Sequence, residues 1–191
     1  MPPPLGRDAV FYHHCSQDSQ IEFVVDNFTV SGLANATVAI TNAKHEQTVH
    51  NIRRALWNIF RRGFQYKGGY LNPVDWRARE WNTGADFLVK HAMMTRSSGS
   101  TLSLDILAQH IHQATALQFF SDGGFTEGLG GAYGVQLLAH AGHGRIVVGY
   151  LYKFSAQATS AFEMELKGLE AAVGILCHGN PSRGANLQQK K

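Results

Sequence analysis

The sequence predicts an α/β domain with a mixed five-stranded sheet flanked by helices, and three observations carry that prediction. Two short runs, residues 21–25 and 117–121, are rich in apolar β-branched or aromatic side chains, and each leads directly into an aspartate, Asp26 or Asp122. Runs of this length and continuity are expected of buried strands. Segments of helical period follow the first run, whereas two further β-type runs follow the second, so helices and strands alternate in one half and strands cluster in the other.

The elements follow in chain order. Residues 1–20 open on three consecutive prolines and stay largely polar, which predicts a tail before the first strand. Between 29 and 43, Val30, Leu33, Ala34, Val38 and Ala39 recur at near-helical spacing, so one helix is expected there despite Gly32. A second helix over 46–62 rests on the stripe Val49, Ile52, Leu56, Ile59 and Phe60, and Gly63 ends it. Turn signals at Lys67-Gly68-Gly69 and Asn72-Pro73 precede another strand at 74–79. Asn82 or Thr83 then caps a helix carrying Phe87, Leu88, Val89, Ala92 and Met93.

Residues 95–101 have the Ser/Gly-rich composition of a linker, and a helix over 102–114 follows. Past the strand ending at Asp122, Gly123 and Gly124 are expected to let the backbone turn. Runs at 130–138 and 145–153, joined by a small loop at 141–144, make an antiparallel meander. A long helix over 160–177 starts with Ser160 as N-cap and Glu163 as its capping-box partner. Residues 178–191 read as a disordered tail. With 191 residues and 44% hydrophobic content, a single domain over 21–177 is expected.

Composition narrows the function classes. The formal charge is +3, and Lys44, Arg53, Arg54, Arg61, Arg62 and Lys67 face only Glu46 within their stretch, a concentration suited to a polyanionic partner or to a solvated helix face. Cys15 and Cys177 lie far apart and form no metal motif, so free thiols are expected. No stretch reaches the roughly 18 apolar residues of a membrane span and no secretory leader is evident, which predicts a soluble intracellular protein with no membrane partner. Cytoplasm and nucleus are not distinguished. His110 and His112 do not share a helix face and His13 and His14 fall in the tail, which argues against zinc. The glycines at 128–134 lack the Gly-Lys-Ser/Thr of a phosphate loop. Trp57, Trp76 and Trp81 are read as packing residues, with Trp81 also placed to stack on a nucleotide.

Four carboxylates stand at the ends of apolar elements: Asp26, Asp86, Asp122 and Glu165. If the strands ending at Asp26 and Asp122 lie side by side and parallel, both side chains emerge at one sheet edge, where open α/β folds place ligands. Their repulsion calls for a cation, and an all-oxygen donor set selects a hard divalent ion, foremost Mg2+. Two such ions about 3.5–4 Å apart support phosphodiester hydrolysis without a serine nucleophile.

The motifs around these residues are specific enough to carry a resemblance. Phe120-Ser121-Asp122-Gly123-Gly124 with Gly130-Gly131-Ala132-Tyr133-Gly134 is similar to the first strand and glycine-rich second strand of ribonuclease H domains. Met164-Glu165-Leu166 resembles the Met-Glu-Leu signature of the family's first long helix, and Val25-Asp26-Asn27 resembles the end of its fourth strand. Arg79-Glu80-Trp81-Asn82-Thr83-Gly84-Ala85-Asp86 is similar to the Arg-Glu-x-Asn-x-x-Ala-Asp motif of its last helix. The order is rotated: residues 21–94 resemble the second half of the fold and 117–177 the first, with 95–116 joining them, so the chain resembles a circularly permuted ribonuclease H.

That resemblance implies Asp122, Glu165, Asp26 and Asp86 as catalytic metal ligands for two Mg2+ ions, with Mn2+ as a substitute. It implies endonucleolytic hydrolysis of the RNA strand of an RNA/DNA hybrid, leaving 3′-hydroxyl and 5′-phosphate ends. Substrate contacts fall to Gly123, Gly124, Asn27, Arg79 and Asn82 beside the ligands, to Thr159 and Ser160 at a helix N-terminus, and to Arg53, Arg54, Arg61 and Arg62 as a basic handle. The chain departs from the family in two places. Trp76, Arg77 and Arg79 stand where many members carry a loop histidine, and Ala161 and Phe162 replace asparagines before the helix glutamate. A nucleic-acid-binding module without turnover is therefore an alternative, as is a retroelement polyprotein fragment whose halves pair between chains in a domain-swapped dimer. A monomer is the first expectation. Double-stranded RNA and DNA junctions remain open as substrates.

Overall fold

The computed structural model describes residues 20–102, 114–142 and 144–178. In chain order it contains β1 (Gln20–Val25), α1 (Phe28–Ala34), α2 (Ala43–Arg61), β2 (Gln65–Tyr66), β3 (Val74–Trp76), a 3-10 turn (Arg79–Trp81), α3 (Thr83–Thr95), β4 (Gly99–Ser100), β5 (Ala116–Thr126), β6 (Gly130–Ala141), β7 (Gly144–Ser155) and α4 (Ala161–His178). The expected helix at 102–114 falls almost entirely on residues outside the described set, as do the two expected tails apart from Gln20 and the helix-terminal His178.

The strands form one mixed sheet in the order β2-β1-β5-β6-β7-β4, with β3 also on β1. Among the described residues the count is seven rather than the five expected, because two-residue strands add to both edges. β2 and β3 occupy successive stretches of the same edge of β1, Gln20–Ile21 and Phe23–Val25 respectively. On its other edge β1 runs parallel to β5 from Gln20↔Ala116 to Val25↔Ser121. β5, β6 and β7 form the antiparallel meander. The segment before residue 95 and the segment after 116 therefore complete one sheet within one chain.

Strand alternation divides the side chains between two faces. Ile21, Phe23 and Val25 on β1, with Leu117 and Phe119 on β5, join the cluster that includes Ile52 and Leu56 of α2 and Leu166 and Leu169 of α4. Phe23 and Phe119 stack at 5.1 Å and are fully buried. Val24 and Phe120 point the other way and pack with Ala85 of α3, while Val89 and Ala92 of the same helix meet Ala132. Helices α1, α2 and α4 thus lie on one face, and α3 covers the other. No helix among the described residues is long and apolar enough to cross a membrane.

Three local expectations are corrected. The helix expected over 29–43 ends at Ala34, because the Asn35 amide accepts from Val74 N at 3.0 Å and donates to Val74 O at 2.7 Å, and Ala36 then turns at φ 60°. The next helix restarts behind Asn42, whose side chain caps Lys44 N. Gly99 and Ser100 of the presumed linker pair with Tyr152 and Leu151 on β7. Gly123 and Gly124 do not turn; they remain in β5 opposite Tyr133 and Ala132. Asn82 occupies the N-cap position of α3, but its side chain makes no cap bond there. Ser160 does cap α4, accepting from Glu163 N at 3.1 Å.

Candidate functional site

Parallel pairing puts Asp26 and Asp122 at equivalent positions, each immediately after the partnered pair Val25↔Ser121. Two strands about 4.8 Å apart then deliver two carboxylates to one edge. The third arrives on α4, and a missing side chain permits its approach. A Cβ built on Gly123 would lie 2.1 Å from Glu165 N and 2.3 Å from Met164 C, both backbone atoms. The glycine pair that suggests a turn in the sequence thus serves a close strand-to-helix contact. Met164, fully buried, fixes the rotation of the helix so that Glu165 faces the strand ends.

One oxygen from each of Asp26, Asp122 and Glu165 lies within 4.8 Å of the others. Asp122 is 3% exposed. Its Oδ1 accepts from Gly123 N at 2.7 Å. Asp122 Oδ2, Glu165 Oε2 and Asn82 Oδ1 are buried and, among the described residues, have no hydrogen-bond partner. Buried acceptors in that state cost about 1–3 kcal/mol each, and more when charged.

The electrostatics follow from the crowding. Burial, then the charges of Asp26 and Asp122, push Glu165 up to about 8. Burial, then Asp26, push Asp122 up to about 6. Burial also raises Asp26, against the Arg79 guanidinium, which favours its charged form. The Asn27 and Asn82 amides likewise oppose the rise at Glu165 and Asp26.

A stability consequence can be read from Glu165. Its folded pKa of about 8 stands above the ordinary 4.5. Below about 4.5 both states hold the proton and the residue costs nothing. As pH rises through the window to about 8 the unfolded chain releases its proton first, so native stability falls. Without divalent ions, Glu165→Gln is expected to stabilise the protein by about 1–3 kcal/mol at pH 8 and by nothing measurable at pH 4. Urea unfolding at the two pH values checks this, and equal effects at both would refute the assigned burial.

Asp86 does not join the three. It sits in the first turn of α3 with Lys90 Nζ at 2.6 Å and Arg79 Nη2 at 3.2 Å, and Arg79 Nε also lies 3.8 Å from Asp26 Oδ2. Arg79 therefore bridges the fourth carboxylate to the cluster. Asn27 caps α1 through Oδ1, accepting from Thr29 N and Val30 N. Asn82 is fully buried and donates to Ser121 O at 2.9 Å, tying the start of α3 to the middle of β5. Gly124 meets Val89 rather than the carboxylates.

The remaining expected contacts are committed elsewhere. Thr159 N and Oγ1 donate to Glu163 Oε2, and Lys44 bonds to Thr159 and to Glu163. Burial pushes Glu163 up, but the bonds from Lys167 and Thr159 outweigh it and hold the carboxyl at about 2. Arg53 donates to Leu33 O and Arg54 to Asn51. Arg62 donates to the carbonyls of Leu176 and Cys177. At about 1.5 Å per residue those carbonyls are roughly 16 Å along α4 from Glu165. Arg62 and its exposed neighbour Arg61 thus belong to the far end of the helix pair.

Trp57, 44% exposed, packs against Phe60 and Tyr70, whereas Trp76 and Trp81 are 47% and 64% exposed, so the packing role expected for those two is corrected. Trp76 Nε1 donates to Asp26 O at 3.1 Å, and Phe28, 70% exposed, meets Trp76 edge-on. The aromatic character of this border was missed in the sequence; Phe28, directly after the Asp26-Asn27 strand end, is its only local signal.

No family model, no curated protein and no solved structure matches this chain.

Proposed function

We propose that this chain is a metal-dependent endonuclease of ribonuclease H type in circularly permuted order, hydrolysing the RNA strand of RNA/DNA hybrids. One observation carries the reading. Asp26, Asp122 and Glu165 come from three separate elements to lie within 4.8 Å, and one buried oxygen each of Asp122 and Glu165 has no hydrogen-bond partner among the described residues. Parallel adjacency of β1 and β5 supports the permuted assignment, since it unites residues 21–94 and 117–177 around one edge.

The donor set fits a hard divalent cation: every converging atom is a carboxylate oxygen, and the raised carboxyls are those a divalent charge would bring back to the ionised state. Asp26, Asp122 and Glu165 would hold it, and Asp86 would join if Arg79 moved aside. When bound, a pair of Mg2+ ions, or Mn2+ in their place, supplies the water activation and leaving-oxygen stabilisation of in-line phosphodiester hydrolysis. The chain's part is positional. The Gly123 N–H orients Asp122, Asn82 secures β5 at Ser121 beside it, and Asn27 favours the ionised form of Glu165. Incubating the full chain with an end-labelled hybrid tests this: RNA-strand cleavage with 5′-phosphate products is expected in Mg2+. Absence of cleavage in both Mg2+ and Mn2+, or its persistence in excess chelator, would sink the proposal.

The Arg79 bridge favours a second reading, a hybrid-binding module with little turnover, because a protein cation already neutralises Asp26 and Asp86. Arg79→Gln separates the two. Under the nuclease reading the substitution tightens Mn2+ binding by about 5-fold, the worth of one neighbouring charge, as read by calorimetry. Unchanged Mn2+ affinity, together with hybrid binding but no cleavage, would favour the module.

A further inference from the structure

β2 and β3 share one edge of β1 but leave a break between them. Ile21 pairs with Tyr66 and Phe23 with Val74, and the intervening chain at 67–73 loops outward opposite Glu22. A depression of about 470 Å³, half open to solvent, lies at that break. Its walls include Asn35, Lys67, Asn72 and Asp75, and Phe28 and Trp76 also line it.

Three features link this pocket to the carboxylates. The Trp76 indole is tethered to the backbone of Asp26. Phe28 directly follows Asn27, whose amide acts on Glu165. Both rings keep large exposed areas, 70% for Phe28 and 47% for Trp76, despite standing at the border of a buried polar cluster. Exposed aromatic surface next to a phosphodiester-cleaving centre matches the chemistry of base stacking, which is indifferent to sequence because every base has a π face. A paired base inside a duplex cannot reach such a platform, whereas an unpaired one can.

Resting on the nuclease reading, we infer that the Phe28/Trp76 pocket is a subsite for an unpaired nucleobase next to the cleaved phosphate. The preferred substrate is then a hybrid that passes into single strand at the cleavage point, in preference to an uninterrupted duplex. Lys67, half exposed, lines the same wall, where it pairs with Glu22 Oε1 at 3.2 Å.

The test uses the full chain carrying Asp122→Asn, so that bound hybrid is not consumed, and two fluorescent RNA/DNA hybrids, one blunt and one extended by three unpaired ribonucleotides. Fluorescence anisotropy gives the ratio of their dissociation constants. The extended hybrid is expected to bind about 5- to 100-fold more tightly, the range of one stacked base. Adding Trp76→Ala should bring the ratio to about 1, and Trp76→Phe, which keeps a ring but loses the N–H bond, should restore most of it. Circular dichroism melting of each variant checks folding, and the Phe variant keeps the comparison decisive if the Ala variant unfolds. Equal binding of the two hybrids, or a ratio that survives Trp76→Ala, overturns the subsite. Magnesium-dependent cleavage of both hybrids by the unsubstituted chain is scored separately. If that cleavage occurs without any preference for the extension, the subsite alone is lost; if the preference occurs without cleavage, the nuclease reading is lost instead.

Discussion

Asp122→Asn is expected to reduce hybrid cleavage by about 10³-fold or more while leaving the protein folded. The residue is nearly buried, it sits at the meeting point of β5 and α4, and its second oxygen has no partner among the described residues. An asparagine keeps the shape and the acceptor for Gly123 N–H but removes the charge a divalent ion would require. Removing that charge also relieves repulsion with Asp26. The melting temperature in the absence of divalent ions should therefore be equal to or a few degrees above that of the unsubstituted chain near pH 7. Melting with and without Mg2+, beside a cleavage assay, makes the comparison complete. A variant that cleaves at the original rate would remove Asp122 from the proposed role.

Gly123→Ala is expected to be the most damaging small substitution in the sheet. The added methyl would sit 2.1 Å from Glu165 N and 2.3 Å from Met164 C, and backbone in a buried helix cannot swing aside as a side chain can. Either α4 lifts from β5 or the strand bends, and in both cases Glu165 leaves Asp122. A loss of about 3 kcal/mol is expected, or roughly 6–12 °C in melting temperature, with a parallel loss of divalent-ion affinity. Gly124→Ala is the control. There the new Cβ meets only the Val89 Cγ1 methyl, at 2.8 Å, and about 1 kcal/mol should be lost. A Gly123→Ala protein as stable as the Gly124→Ala one would show that the strand-to-helix contact is not what sets the site.

What could be read from the residues, and what could not, divides along the range of the interaction. The strand ending before Asp26, the stripe of α2 and the Ser160 cap are local patterns, and each stands in the structure near its expected place, whereas the strand expected to end at Asp122 continues to Thr126. Gly123-Gly124 misleads because a glycine pair has the same local signature whether it frees a turn or clears room for a neighbouring helix; only the distant Glu165 decides between them. The break at Asn35 is likewise invisible along the chain, since it depends on two bonds to Val74. Arg62 looks like part of a basic handle until the carbonyls at the end of α4 come beside it. The same holds for Asp86. Its motif places it among ligands, but the loop that carries Arg79 back over Asp26 sets it behind an arginine.

Central placement of β1 has a consequence during synthesis. Its partners on one edge, β2 and β3, leave the ribosome soon after it, but β5, on the other edge, begins only at Ala116. At about 5–20 residues per second the nascent polypeptide waits roughly 5–20 s with a bare hydrogen-bonding margin on its most apolar strand. Such margins recruit neighbouring chains. Glu22 is the one charge inside that strand; Lys67 and Arg77 pair with it once β2 and β3 are in place, and Gln118 covers it only with the arrival of β5.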